Sequence, residues 1–194
     1  MNLSFKIISL GDFKENFGDK CGSLNLYWLL FSTMPNLQTI GDRVLVLMLH
    51  EFSNRYIKNS PDSHYFLDPS LLKKFQYEEL RTPAKPVDSL DIILNECVSS
   101  LDSHDDNRRE EQVLVILKGK GDVLNHAFSI GVENSDSHRI YKLNEIYEDP
   151  PFFIQKTFDY RSDFKDEIEH IYGYKQSVLN KRYSHIQCLK LEVL

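Results

Sequence analysis

From residue 113 onward the apolar residues change their spacing, and that change limits the fold more than any other feature of the chain. "VLVILK" (113–118) is a continuous apolar run, and "HAFSIGVE" (126–133) and "HRIYKLNEIY" (138–147) alternate or run on with β-branched and aromatic residues. Such segments read as strands, and "NSDS" between the last two joins them as an antiparallel hairpin. Upstream the period is helical. After Cys21 the residues Leu24, Leu26, Tyr27, Leu30 and Phe31 recur at helical intervals, with "KCGS" starting the helix and Met34-Pro35 stopping it. Val44, Leu45, Leu47, Met48, Phe52 and Tyr56 line one side of a second helix over 42–57.

Around this division the remaining elements are placed. "KIISL" (6–10) reads as a short strand, and Gly11 to Asp19 as a turn-rich loop. Residues 58–88, rich in Pro, Asp and Ser, read as a long loop with a short helix at "SLLKKFQYEEL". A helix is expected at 88–101, followed at 102–112 by a charged surface loop or the end of that helix. "DPPFF" breaks the strand pattern, "SDFKDEIEHIYGYKQSVL" reads as a charged helix, and "SHIQCLKLEVL" as a final strand. Helices dominate the first half and an antiparallel sheet the second, an α+β layout. With 194 residues and no internal repeat, the chain is expected to form one domain over 1–194.

Bulk properties remove several functions. The formal charge of −6 disfavours binding along a nucleic-acid backbone, and "KKF", "NRR" and "NKR" are short, scattered basic runs that read as a solvated face. Cys21, Cys97 and Cys188 are odd in number and have no paired spacing, which argues against a disulfide framework and a zinc site and for a reducing compartment. No metal or cofactor is expected. "KGKGD" lacks the spacing and hydroxyl residue of a phosphate loop. The runs "LYWLLF" and "VLVLML" are too short to span a bilayer, and the N-terminus has no signal-peptide pattern. The expected location is cytoplasmic, or a host cell reached by secretion without a cleavable signal.

One constellation could do chemistry. A cysteine is nucleophilic as its thiolate, which a helix N-terminus and a neighbouring imidazole both favour. Cys21 stands at the start of a helix, and Gly22 beside it allows close approach of a backbone. Taken alone, it would more often be a small core residue. Cys97 in a helix and Cys188 in a strand read as core. His126 opens a strand after the turn "GKGDVLN", where a side chain can face a cleft. His138 reads as exposed, and His50, His64, His104, His170 and His185 lack special context. An imidazole base needs an orienting acceptor. Asn144 follows one hairpin later, and neighbouring antiparallel strands could put it on the His126 face, with Glu145 pointing the other way and Asp149 as the fallback.

The order of cysteine at a helix start, histidine at a strand start and Asn or Asp one hairpin later resembles papain-like cysteine proteases. Within that superfamily the likeness is to ubiquitin C-terminal hydrolases. "KENFGDKCGSL" is similar to their nucleophile motif, "NHAFSIGVENSDSHRIYKLNE" to their histidine strand and hairpin, and "NKRYSHIQCLKLE" to their last strand. The resemblance implies a helical N-terminal part whose nucleophile helix packs on a C-terminal antiparallel sheet. It also implies Cys21 as nucleophile, His126 as base then acid, and Asn144 as orienter.

Three departures stand out. The family's oxyanion-hole glutamine falls on Glu15, whose negative charge would repel a developing oxyanion, while Asn16 beside it carries the right amide. Asn144 replaces an acid. Only 20 residues precede Cys21, and the stretch from Cys21 to His126 is longer than in the family.

The function expected is hydrolysis of a peptide, isopeptide or glutamine amide in a protein substrate, with ubiquitin or a host protein as partner. The rival is a non-catalytic binding module or decayed hydrolase of the same fold. Glu15 favours that rival, and so do aromatics at Tyr147, Phe152, Phe153, Tyr160, Tyr172 and Tyr174 that could form a partner surface.

Overall fold

A computed structural model describes residues 4–9, 20–59, 67–87, 92, 95–96, 99, 110–123, 125–134, 138–148, 151–173 and 182–194. Its centre is an eight-stranded antiparallel sheet. In chain order the elements are β1 (Ser4–Ser9), α1 (Cys21–Phe31), α2 (Ile40–Asn59), α3 (Pro69–Lys74), β2 (Tyr77–Arg81), β3 (Lys85–Pro86), β4 (Glu110–Gly119), β5 (His126–Asn134), β6 (Arg139–Glu148), β7 (Pro151–Phe158), α4 (Arg161–Ile168), a π-type turn (Glu169–Gly173) and β8 (Tyr183–Val193). The strands lie in the order β1-β7-β6-β5-β4-β8-β2, with β3 also on β8. Helices and antiparallel strands together make an α+β fold, as the spacing predicts.

Alternation along the strands assigns the two faces of the sheet. Val113, Val115, Leu117, Phe128, Ile130, Val132, Leu143, Ile186 and Cys188 point to one face and pack with Phe164 and Ile168 of α4. The opposite residues, Leu114, Ala127 and Leu189, meet Trp28 and Leu29 of α1. Leu24, Leu26, Tyr27 and Leu30 turn the rest of α1 toward Val46 and Leu49 of α2 and Phe153 of β7. Residues 23–30 are all buried, because α1 is wedged between the sheet and α2. A helix apolar on every side is stable only in such a place. Gly131 of β5 lets Trp28 lie flat on the sheet: a Cβ there would fall 2.6 Å from the tryptophan Cη2.

Three expectations are corrected. "SLLKKFQYEEL" is not one helix, because α3 stops at Lys74 and Gln76 takes a left-handed conformation (φ 62°) that turns the chain into β2. "DPPFF" does not end the strand pattern. Pro151 is the first residue of β7, a position that tolerates the missing N–H, and β7 pairs with both β6 and β1. Residues 58–88 are not all loop and short helix either, since β2 and β3 lie there and join the sheet, as does β1 where a strand is expected at 6–10. Much of the helix expected at 88–101 lies outside the described residues, as do Cys97 and the loop at 102–109. Of the six aromatics suggested for a partner surface, Phe153 is fully buried and Tyr160 is 65% exposed. Among the described residues no helix is long and apolar enough to cross a membrane, and no group of three His, Cys, Asp or Glu could hold a metal ion.

Candidate active site

Cys21 is the first residue of α1, and its N-cap Lys20 makes no side-chain capping hydrogen bond. The N-terminal end of a helix presents N–H groups and a partial positive charge, both suited to an anion. α1 lies across the Ala127, Ser129 and Gly131 face of β5, which brings Cys21, half-buried, to the end of the sheet where β5 begins. His126 is the first residue of that strand.

The imidazole stands between two partners. Its Nε2 lies 2.9 Å from Oε1 of Glu145, and the ring shares a hydrogen bond with the Cys21 side chain. The rings of Phe128 and Tyr183 lie 6.3 and 6.5 Å away, centroid to centroid. Burial opposes charge on the imidazole. The Glu145 charge, the hydrogen bond with Cys21, the hydrogen bond with Glu145 and the charge on the sulfur outweigh it together, and hold the pKa well above the ordinary 6.5. The partners thus favour the charged ring over the neutral one. Glu145, whose side chain is 6% exposed, also accepts the Ile146 N–H at 2.9 Å, so its buried carboxylate is supported from two sides.

Glu145 occupies the place beside the ring that was expected of Asn144, and strand parity explains the correction. β5 and β6 pair Ser129 with Asn144, Ile130 with Leu143 and Asn134 with Arg139. Residues directly opposite share a face, so even-numbered residues of β5 go with odd-numbered residues of β6. His126 therefore shares its face with Glu145, and Asn144 points to the α1 side. The signal was present in the sequence. The last pair is Asn134 with Arg139, so four residues, 135–138, link the strands; an even link gives this odd register, whereas a link of three or five residues would have favoured Asn144.

Asn144 is fully buried and enters a different arrangement. Its Nδ2 donates to Ser129 Oγ at 3.0 Å, and its Oδ1 accepts from Gln155 Nε2 at 3.0 Å. Ser129 Oγ in turn donates to Oδ1 of Asn25. Asn25 Nδ2 donates to the Cys21 carbonyl at 2.8 Å and the Ala127 carbonyl at 3.2 Å. Neither Asn25 nor Ser129 was singled out by sequence reading. A clue was available for Asn25: it is an amide in a helix with apolar residues on every side, and such a group needs buried partners. Glu15, Asn16 and Asp149 lie outside the described residues. Cys188 is core, at 1% exposure.

No family model matches the chain, and no curated protein does. Among solved structures, the chain is similar to the crystal structure of the ubiquitin-specific protease encoded by a murine cytomegalovirus tegument protein, in complex with a ubiquitin-based suicide substrate. The identity is 9% and the TM-score 0.42, over 91% of this chain and 77% of that one. At that level of likeness the functional reading rests on the side chains alone.

Proposed function

We propose that this chain is a cysteine hydrolase of papain-like architecture, formed by residues 1–194 as one domain. Cys21 is the nucleophile, His126 the base and then the acid, and Glu145 the residue that orients the ring. The single observation that carries this reading is the imidazole held between the Cys21 side chain and the Glu145 carboxylate. A raised imidazole pKa keeps a proton beside the sulfur and favours its anion.

With Nε2 engaged by Glu145, Nδ1 is the nitrogen left to exchange a proton with the sulfur. The Cys21 sulfur forms a bond to the acyl carbon, and the carbonyl π electrons move onto oxygen. N–H groups at the start of α1 and the Asn16 amide stabilise that oxyanion. As the oxyanion collapses, the C–N bond breaks and the departing amine takes the proton from His126. His126 then accepts a proton from water, hydroxide attacks the thioester, and the C–S bond breaks to release a carboxylic acid and restore the thiol. An isopeptide, a peptide or a glutamine amide satisfies this chemistry. The likeness of the cysteine and histidine motifs to ubiquitin hydrolases makes a ubiquitin tail the first substrate to try.

The test is intact mass spectrometry after incubation with a small cysteine-reactive probe and, separately, with a ubiquitin C-terminal electrophile. Wild type is expected to be labelled by the small probe, and Cys21→Ala to lose that labelling completely. Labelling by the ubiquitin electrophile as well makes the chain a deubiquitinase, and its absence directs the search to another acyl substrate. If Cys21 reacts no faster than an ordinary thiol, the hydrolase reading fails and the binding module replaces it.

A further inference from the structure

Among the described residues, one continuous polar line crosses the largely apolar interface between α1 and the sheet. Gln155, Asn144, Ser129 and Asn25 form a chain of hydrogen bonds in which every donor points the same way, toward the Cys21 and Ala127 carbonyls. Asn25, Ser129 and Asn144 are each 0% exposed, with Trp28, Leu29 and Leu114 nearby in the same layer. A buried amide or hydroxyl is costly unless its partners are all in place, and apolar residues would fill the same volume at less risk. Here the partners are in place. Both hydrogens of the Asn25 amide are used, its oxygen is used, and the Ser129 hydroxyl both donates and accepts.

The two ends of the Asn25 clamp matter most. One is the backbone carbonyl of Cys21. The other is the backbone carbonyl of Ala127, the residue next to His126. A single side-chain amide thus bonds the main chain at the sulfur-bearing residue and the main chain beside the imidazole, the latter 102 residues further along the sequence from Asn25. Packing alone fixes the layer spacing but lets a helix slide or rotate by fractions of an ångström, and reacting groups do not tolerate that.

We propose that Asn25, locked by Ser129 and Asn144, is a positioning residue that sets the first turn of α1 against the start of β5 and so fixes the Cys21–His126 contact. The proposal rests on the hydrolase reading, since it concerns the geometry of that pair. Asn144 thereby acts on the site through the cysteine side instead of the histidine side. Asn25→Asp keeps the shape but cannot donate, and it turns a carboxylate toward two carbonyls. Ser129→Ala is milder: it leaves the Asn25 oxygen without the donor that orients it.

The experiment measures the rate of iodoacetamide alkylation at Cys21 across pH, by peptide mass spectrometry, on wild type, Asn25→Asp, Ser129→Ala and Trp28→Phe. Melting temperature is recorded in parallel. Trp28→Phe weakens the same interface without touching the polar line, so it is expected to lower the melting temperature and leave the pH profile in place. Asn25→Asp and Ser129→Ala are expected to slow alkylation near neutral pH, by about tenfold and about threefold respectively, and to move the profile toward that of an ordinary thiol. If both melt lower but keep the wild-type profile, the line is merely structural and the proposal is overturned. Should Asn25→Asp fail to fold, Ser129→Ala alone decides between those outcomes. A wild-type profile already like an ordinary thiol overturns the hydrolase reading and this inference together.

Discussion

The two faces of the sheet are built from the same strands and covered by helices, yet they use different chemistry. The face under α4 is apolar across its middle, from Val113 through Phe128 and Leu143 to Cys188, and Phe164 packs edge-on to Phe158 and stacks with Tyr141. The face under α1 carries Trp28 and Leu29 but interrupts them with Asn25, Ser129 and Asn144. Apolar burial is insensitive to small displacements, and it stabilises whatever roughly fits. Hydrogen bonds demand distance and direction, so they hold two elements in one relation. The polar interruption lies on the side that carries Cys21. One face supplies stability, and the other supplies register.

The comparison is broken most forcefully from the α4 side. Phe164→Ala is expected to reduce the unfolding free energy by about 3–5 kcal/mol, read from urea unfolding, and to leave Cys21 alkylation of the folded protein at its wild-type pH dependence. An altered alkylation profile in that variant would show that the faces are not separable. Gly131→Ala is the counterpart on the α1 side. The added methyl meets the Trp28 ring at 2.6 Å and the Glu111 carbonyl at 3.1 Å, so the helix must shift. The expected cost is smaller, about 1–3 kcal/mol, but the alkylation profile moves with it. A loss of stability with no change in reactivity would mean that α1 tolerates displacement.

Glu145→Gln sharpens the comparison with the smallest change in structure, and its effect is read in pH. Because the folded pKa of His126 is raised, the stability this group adds is fully present below its unfolded value near 6.5. It is lost as pH rises through the higher folded value. Replacing the carboxylate removes the charge that most raises it and brings the folded value back toward the ordinary one. Urea unfolding at about pH 6 and about pH 9 should then differ less in Glu145→Gln than in wild type. An unchanged difference would place the source of the shift elsewhere.

How far the sequence told this in advance depended on which interactions were local. Cys21 at a helix start and His126 at a strand start are readable because a glycine turn and a change of period mark each one. β6 and β8 are readable because two-residue alternation needs no knowledge of neighbours. β7 was hidden by the adjacent prolines at 150 and 151, which look like a break, although a strand can begin on one. β2 was hidden because Gln76, not a glycine, takes the left-handed turn that ends α3. The choice between Asn144 and Glu145 depended on register, a property of two strands together, and one residue of offset exchanges the two side chains. Asn25 carried only a general clue, an amide in an apolar helix, since its partners on the sheet, Ala127 and Ser129, lie more than 100 residues away.

That separation has a consequence for how the protein is made. α1 leaves the ribosome before the strands that cover its sheet-facing side, which come after residue 109. β8 (Tyr183–Val193) lies between β4 and β2, inside the sheet and not at its edge. A nascent chain therefore carries its cysteine for on the order of ten seconds before the imidazole and the last interior strand emerge. Through that interval Cys21 has neither His126 nor Glu145 near it, so the contact between sulfur and imidazole is made only when the sheet closes.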